Sequence, residues 1–280
     1  MGDHDLAVFG DWHMNSAWAT RVITDVADAT TGRDWYHVGD FGMWSTQPRS
    51  EGRAYLDAVQ TALTSVGATL HVVLGNHENY DLLDDFVRAE AGWSALAGWD
   101  RICFAPRAHV WAHPDTDVSM AALGGAGSID LRLRRLGRDW WMQEQITEAN
   151  VATLVDILPP GGVDVFLSHE APAGIPVFGD ATVNGFADDK VVAYCWAQRV
   201  LLREALDAAT PTWALHGHWH HFHTGTVHGT RRDGQPYTTR VLGLDRDGEP
   251  GNAAVLDATA ATDAGPSVPL ILPPPSERAR

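Results

Sequence analysis

The 280-residue chain is 45% hydrophobic and sets 36 acidic against 20 basic residues, a formal net charge of −16. That length supports one large α/β core, and the acidic surface disfavours nucleic-acid backbones unless a local basic groove or bound cations reverse the field. Two cysteines without CxxC spacing exclude a disulfide framework, and neither a basic leader nor an apolar run of bilayer length is present, so a cytoplasmic protein without membrane attachment is expected.

In chain order, Leu6-Ala7-Val8-Phe9 is a buried-strand pattern ending in Gly10-Asp11, and 17–29 has helical spacing with Val22, Ile23 and Val26 on one side. Trp35-Tyr36-His37-Val38 predicts the next strand, with Gly39-Asp40 as its turn, and 51–66 a helix with Leu56, Val59 and Leu63 on one face. Leu70-His71-Val72-Val73-Leu74 then leads into Gly75-Asn76-His77-Glu78. Strand, polar loop and helix recur, which is the pattern of crossover units around a mostly parallel sheet and hence of an α/β fold. A helix-like stretch covers 82–90, and the Trp-rich segment 93–111 carries no pattern that fixes its partners. Residues 118–123 predict a strand before the turn-rich 124–128, and helical spacing runs from Trp140 to Leu158, stopping at Pro159-Pro160-Gly161-Gly162. The strand at 163–167 delivers Ser168-His169; after a helix over 191–209, with Cys195 as a small buried side chain, Thr212-Trp213-Ala214-Leu215 delivers His216-Gly217-His218. Residues 224–228, 237–244 and 253–257 predict antiparallel strands completing a second sheet. One domain over 1–262 is expected, followed by a Pro-rich, partly disordered tail over 263–280.

Asp11 and His13 stand one residue apart, so both reach one site only from a turn or irregular strand end, which Gly10 supplies. Such a triplet alone equally suits a solvated loop, and an aspartate after a strand, as at Asp40, often caps the next turn. In Gly75-Asn76-His77-Glu78 the glycine permits close approach, the carboxamide offers a metal-binding oxygen and the imidazole is left for proton work. Gly217-His218-Trp219-His220 offers two imidazoles from one loop, as an exposed histidine cluster also would. Position changes the weights: Asp11, His13, Asp40, Asn76, His169, His218 and His220 each follow a predicted strand, where open α/β sheets assemble their sites.

The ordered set Asp11-x-His13, Gly39-Asp40, Gly75-Asn76-His77-Glu78, His169 and Gly217-His218-x-His220 resembles the signature of the calcineurin-like metallophosphoesterase superfamily, over roughly residues 6–221. The resemblance implies a four-layer α/β/β/α sandwich with two mixed central sheets and a dinuclear metal site at the strand C-terminal ends. It implies that Asp11, His13 and His220 hold the first metal, that Asn76, His169 and His218 hold the second, and that Asp40 bridges both. It leaves His77 to stabilise the transition state or protonate the leaving oxygen, with Glu78 orienting it. The Gly-Gly turn at Gly124-Gly125 and the Trp140-Trp141 pair are further similar to a subgroup of small bacterial and phage phosphoesterases.

What the resemblance implies is metal-dependent hydrolysis of phosphate esters, as a phosphatase or phosphodiesterase, with a hydroxide shared by two cations attacking phosphorus in line. A nitrogen and oxygen donor set without thiolate points to two transition-metal ions, Mn foremost and Fe, Zn or Ni as alternatives. Arg132 and Arg134 are candidate phosphate contacts, although beside Asp130 and Arg135 they equally suit surface ion pairs. His216, Trp12 and Trp219 are candidate neighbours of the ligands or substrate, the indoles as walls that stack a base or as ordinary packing. The Gly124–Gly127 turn lacks the Lys-Ser/Thr of a P-loop. Two rival readings remain at this level: a nuclease or 2′,3′-cyclic nucleotide phosphodiesterase acting on nucleic-acid ends, which needs a basic track, and a noncatalytic metal-binding interaction module.

Overall fold

The central strands are apolar on both faces, and this dictates layering. The structure, a computed structural model, describes residues 5–87, 92–114, 116–177, 188–231, 233–257 and 270–271. Strand β1 (Asp5–Phe9) is buried throughout; the twofold alternation of a strand sends Leu6 and Val8 into one core cluster and Ala7 and Phe9 into another. Strands β7 (Ser119–Leu123) and β8 (Val165–Ser168) divide in the same way, with Met120, Ala122, Val165 and Leu167 facing the cluster of Leu6 and Val8, and Ala121, Leu123 and Phe166 facing a third. Two sheets therefore share an inner core, and each buries its outer face under helices.

The first sheet has seven strands, ordered β13 (Leu270–Ile271), β12 (Ala253–Asp257), β1, β2 (Asp34–His37), β3 (Thr69–Val72), β5 (Trp99–Phe104) and β4 (Ser94–Leu96). The second has six, ordered β10 (His223–Thr230), β11 (Pro236–Gly243), β9 (Trp213–His216), β8, β7 and β6 (Ala108–Ala112). Both are mixed: β1, β2, β3 and β5 run parallel, as do β7, β8, β9 and β11, and antiparallel strands close the edges.

Outside the first sheet, helices α1 (Ser16–Ala29) and α2 (Glu51–Val66) bury Val22, Ile23, Val26, Leu56, Val59 and Leu63, the residues their periodicity marks. Each such side chain contributes about 1.5–3 kcal/mol on burial. Asn15 and Ser50 cap these helices by accepting from Trp18 N and Arg53 N, and Gly67 ends α2 in the left-handed region. Helix α3 (Tyr80–Val87) follows the loop of Gly75-Asn76-His77-Glu78; the remainder of the helix expected over 82–90 lies outside the described residues. On the second sheet, α4 (Glu148–Ile157) and α5 (Asp189–Ala209) cover Phe166, Ala214 and Val241.

Three expectations are corrected. Residues 140–147 do not join α4, because Thr147 and Asn150 form a reciprocal capping box that starts the helix at Glu148. β11 lies parallel to β9 rather than forming part of an all-antiparallel extension. β12 does not complete the second sheet but pairs antiparallel with β1 in the first, where its alternating faces join the two cores that β1 separates. The expected tail over 263–280 lies outside the described residues, apart from the pairing of Leu270 and Ile271 with β12.

Candidate metal centre

The strands β1, β2, β3, β8 and β9 stop within a few residues of Asp11, Asp40, Asn76, His169 and His218 respectively, so their loops meet at one end of both sheets. Backbone hydrogen bonds fix the loops to one another before any metal is considered. Trp12 N and His13 N donate to Asp40 O at 3.0 and 2.9 Å, Gly217 N donates to His169 O at 3.2 Å, and Asp247 N donates to Asp11 O at 2.7 Å. The carboxylates do the same work: Asp40 Oδ1 accepts from Asn76 N (3.0 Å) and His77 N (2.7 Å), and Asp11 Oδ2 accepts from His218 N (3.0 Å).

Two groups of ligand atoms result, each with its members within 4.8 Å of one another: Asp11, His13, Asp40 and His220 in one, Asp40, His169 and His218 in the other. Asp40 divides its oxygens between them, with Oδ2 3.6 Å from His13 Nε2 and Oδ1 3.1 Å from His169 Nε2. His220 Nε2 lies 3.1 Å from Asp11 Oδ2 and 3.2 Å from His13 Nε2. Asn76 Oδ1 is 3.0 Å from His169 Nε2 and so joins the second group.

The histidines are held from behind. His13 Nδ1 faces Asp247 Oδ1 at 3.0 Å, His169 Nδ1 faces Val38 O at 2.7 Å, and His218 Nε2 faces Gly127 O at 3.1 Å. Each bond fixes a ring, and for His13 and His169 it leaves Nε2 for the cluster, the arrangement metal-binding imidazoles adopt. Among the described non-glycine residues, those with left-handed φ include His13, Asp40, His218 and His220, so the strained backbone concentrates at the ligands. A Cβ on Gly75 would overlap Asp40, and one on Gly217 would overlap Asp11 Oδ1, so only glycine lets these loops close.

The buried carboxylates need compensating positive charge. Asp11 and Asp40 are almost wholly buried. Burial opposes a charge on His13, but its bonds to Asp247 and Asp40 and the field of Asp40 and Asp11 outweigh that and push it up to about 11. His169 is likewise raised to about 10, against burial, by Asp40, Asp11 and Glu78. Protonated imidazoles thereby balance buried carboxylates that would otherwise stand uncompensated. His218 is held well below its ordinary value by burial and by His169, and so remains a neutral donor. An oxygen and imidazole set of this kind, with two ring nitrogens facing one another, fits two divalent transition-metal ions.

His77 is half-buried at the rim, 5.9 Å from the His13 ring, and burial lowers its pKa. The partners of the other candidate neighbours decide between the readings left open for them, and one expectation, that for Glu78, is corrected. Glu78 does not orient His77; its oxygens accept from Gly75 N (2.6 Å) and Gly42 N (3.2 Å), tying two ligand loops together. Trp12 is no substrate wall, because it is fully buried edge-on against Phe9 and His37. Arg132 pairs with Asp188 at the surface, while Arg134 donates to Asn76 O at 2.9 Å. His216 is buried with Nδ1 against Gly217 O and its ring against His223. Trp219 is half-buried beside His218, donates to Glu170 Oε1 at 2.9 Å and stacks on Arg199.

Sequence reasoning missed Asp247 and Asn252. Asn252 donates to Asp11 O (3.1 Å) and accepts from Trp18 Nε1 (2.6 Å), over sequence separations of 241 and 234 that no local spacing reveals. Glu170, buried beside His218, could have been noticed as the residue after His169.

No protein-family model matches the chain, and no curated protein matches it. Solved structures do. A dimetal phosphatase from Danio rerio is similar over 91% of this chain and 92% of its own, at 13% identity and a TM-score of 0.54. A second structure matches over 92% and 96%, at 13% identity and a TM-score of 0.52. At such identities the likeness is one of fold alone: the chain has the layered two-sheet α/β fold of these structures.

Proposed function

We propose that the protein is a dinuclear metal-dependent phosphoesterase. The observation that carries the reading is the division of Asp40 between two converging ligand groups, Oδ2 toward His13 and Oδ1 toward His169. Asp11, His13, His220 and one Asp40 oxygen would hold the first cation; Asn76, His169, His218 and the other Asp40 oxygen would hold the second. Two such cations would supply Lewis acidity toward phosphoryl oxygens and would lower the pKa of a water between them and the ester to about 7. The cluster is exposed on the side of His13 and His220, whose side chains retain 26% and 37% of their accessibility, so the ester approaches there.

His77 is the catalytic side chain not committed to metal. Its backbone N–H is fixed by Asp40 Oδ1 at 2.7 Å, which sets its imidazole at the mouth of the cluster, placed to donate to a non-bridging or leaving oxygen. Arg134 is excluded from that task because its guanidinium is only 5% accessible and is bonded to Asn76 O, Asp139 O and Ser128. The mixed imidazole and oxygen donors suit Mn, Fe, Zn or Ni, and Mn is the first choice to test. The reading extends to a domain over 1–262, a cytoplasmic location, and the bacterial and phage subgroup that the middle segment resembles.

Metal content and turnover measured together test this. Two transition-metal ions per chain, and Mn-supported hydrolysis of p-nitrophenyl phosphate or bis-p-nitrophenyl phosphate that a chelator abolishes, are expected. Fewer than two ions per chain after loading, with neither ester cleaved under any of the four metals, would overturn the proposal.

A further inference from the structure

A buried polar network behind the second ligand group is used by none of the steps above. It comes from the segment between β7 and α4. Ser128 is fully buried, and its hydroxyl meets three side chains: Asn76 Nδ2 at 3.1 Å, Arg134 Nη1, and Glu144 Oε1. The platform is rigid. Gly125 N donates to Leu74 O at 2.7 Å, Ala126 N donates to Glu144 O at 3.0 Å, and Arg134 Nη2 donates to Asn76 O at 2.9 Å.

We propose that Ser128, locked by Arg134 and Glu144, is a positioning residue that fixes which end of the Asn76 carboxamide faces the second cation. The argument is one of capacity. A serine hydroxyl has one proton to give and two lone pairs. Arg134 can only donate, so it takes one lone pair. Glu144 as a carboxylate can only accept, so it takes the proton. The remaining lone pair can bind Asn76 only through the amide NH2. Asn76 Oδ1 is thereby turned toward His169 Nε2, 3.0 Å away, where a metal ligand must be. Reversing the amide would present N–H donors to a cation and an acceptor to a hydroxyl with no proton left. Burial pushes Glu144 up to about 8, so the proton count above holds for its carboxylate form, which Arg134 at 3.7 Å, the Ser128 hydroxyl and any cations bound at the cluster favour.

The inference rests on Asn76 being a ligand of the second cation, and the test separates the two claims. Mn2+ binding to the full chain is measured by calorimetric titration, with the spin-coupled Mn–Mn signal in electron paramagnetic resonance as the second readout. Ser128→Ala is expected to weaken the second Mn2+ by roughly tenfold to a hundredfold and leave the first unchanged. Ser128→Cys keeps the volume with a poor acceptor, and should act in the same direction if the alanine variant folds badly. The decisive step is to repeat Ser128→Ala in an Asn76→Asp background. A carboxylate has no wrong end, so the loss there should shrink to within about twofold, the non-additivity of a direct coupling. Equal losses in both backgrounds would overturn the positioning role and leave Ser128 as packing. If Asn76→Ala keeps both Mn2+ ions with undiminished affinity, the assignment of Asn76 falls, and the proposal falls with it.

Discussion

Two of the molecule's histidine-bearing clusters do different things with the same side chain. At the edge of the inner core, His71 and His109 lie among Tyr36, Trp93 and Trp111, with His109 stacked on Trp111 at 5.0 Å and His71 stacked on Tyr36 at 5.4 Å. Both rings serve as aromatic surfaces, His71 while meeting a single half-buried carboxylate, Asp34, through Nε2 at 2.9 Å, and burial lowers His109 to about 4, so that it stays neutral. At the strand ends, His13, His169 and His220 instead point ring nitrogens at the buried carboxylates Asp11 and Asp40. Histidine count distinguishes nothing; what matters is whether buried carboxylates face the rings and whether the backbone is bent to bring them there.

The largest break in that comparison should come from Asp40→Asn, which removes the charge shared by both groups and should lower turnover by about ten-thousandfold or more, with loss of at least one bound metal by elemental analysis. His77→Ala should lower turnover by roughly a hundredfold to a thousandfold while both metals stay bound, a separation that a noncatalytic module would not show. Metal removal should expose the charge balance. In the metal-free protein His13 and His169, raised to about 11 and about 10 from an ordinary 6.5, contribute stability that is fully present below about pH 6.5 and lost as pH rises through their folded values. The melting temperature of chelated protein should therefore fall between about pH 6.5 and 11, whereas loaded protein, whose imidazoles are neutral ligands, should not show this fall. The smallest effect belongs to the edge cluster: Trp111→Ala removes its bond to Tyr36 OH at 3.2 Å and should cost about 2–3 kcal/mol in urea unfolding without changing metal stoichiometry or turnover.

The order of strands and the ligand loops could be read from the sequence because both have local causes. Continuous apolar runs such as Leu6–Phe9 and Val165–Leu167 signal strands buried on both faces, and the glycine beside Asp40, Asn76 and His218 marks where chains approach closely. Roles decided by distant partners could not be read. Trp12 stands between two ligands in sequence yet turns into the core, because a residue flanked by inward-bound side chains on a bent loop must point the other way. Glu78 adjoins His77 but answers to Gly42, 36 positions away. The pairing of β12 with β1 depends on a register no periodicity encodes.

That late pairing has a consequence for how the centre is made. The turn before β12 carries Asp247 and Asn252, which grip His13 and the Asp11 backbone, so the earliest ligands translated are secured by nearly the last part of the sheet to be translated. A nascent chain holding every ligand through His220 still lacks this clasp. The loop of Asp11 and His13 therefore gains this hydrogen-bonded support only once the segment through Asn252 has folded against it.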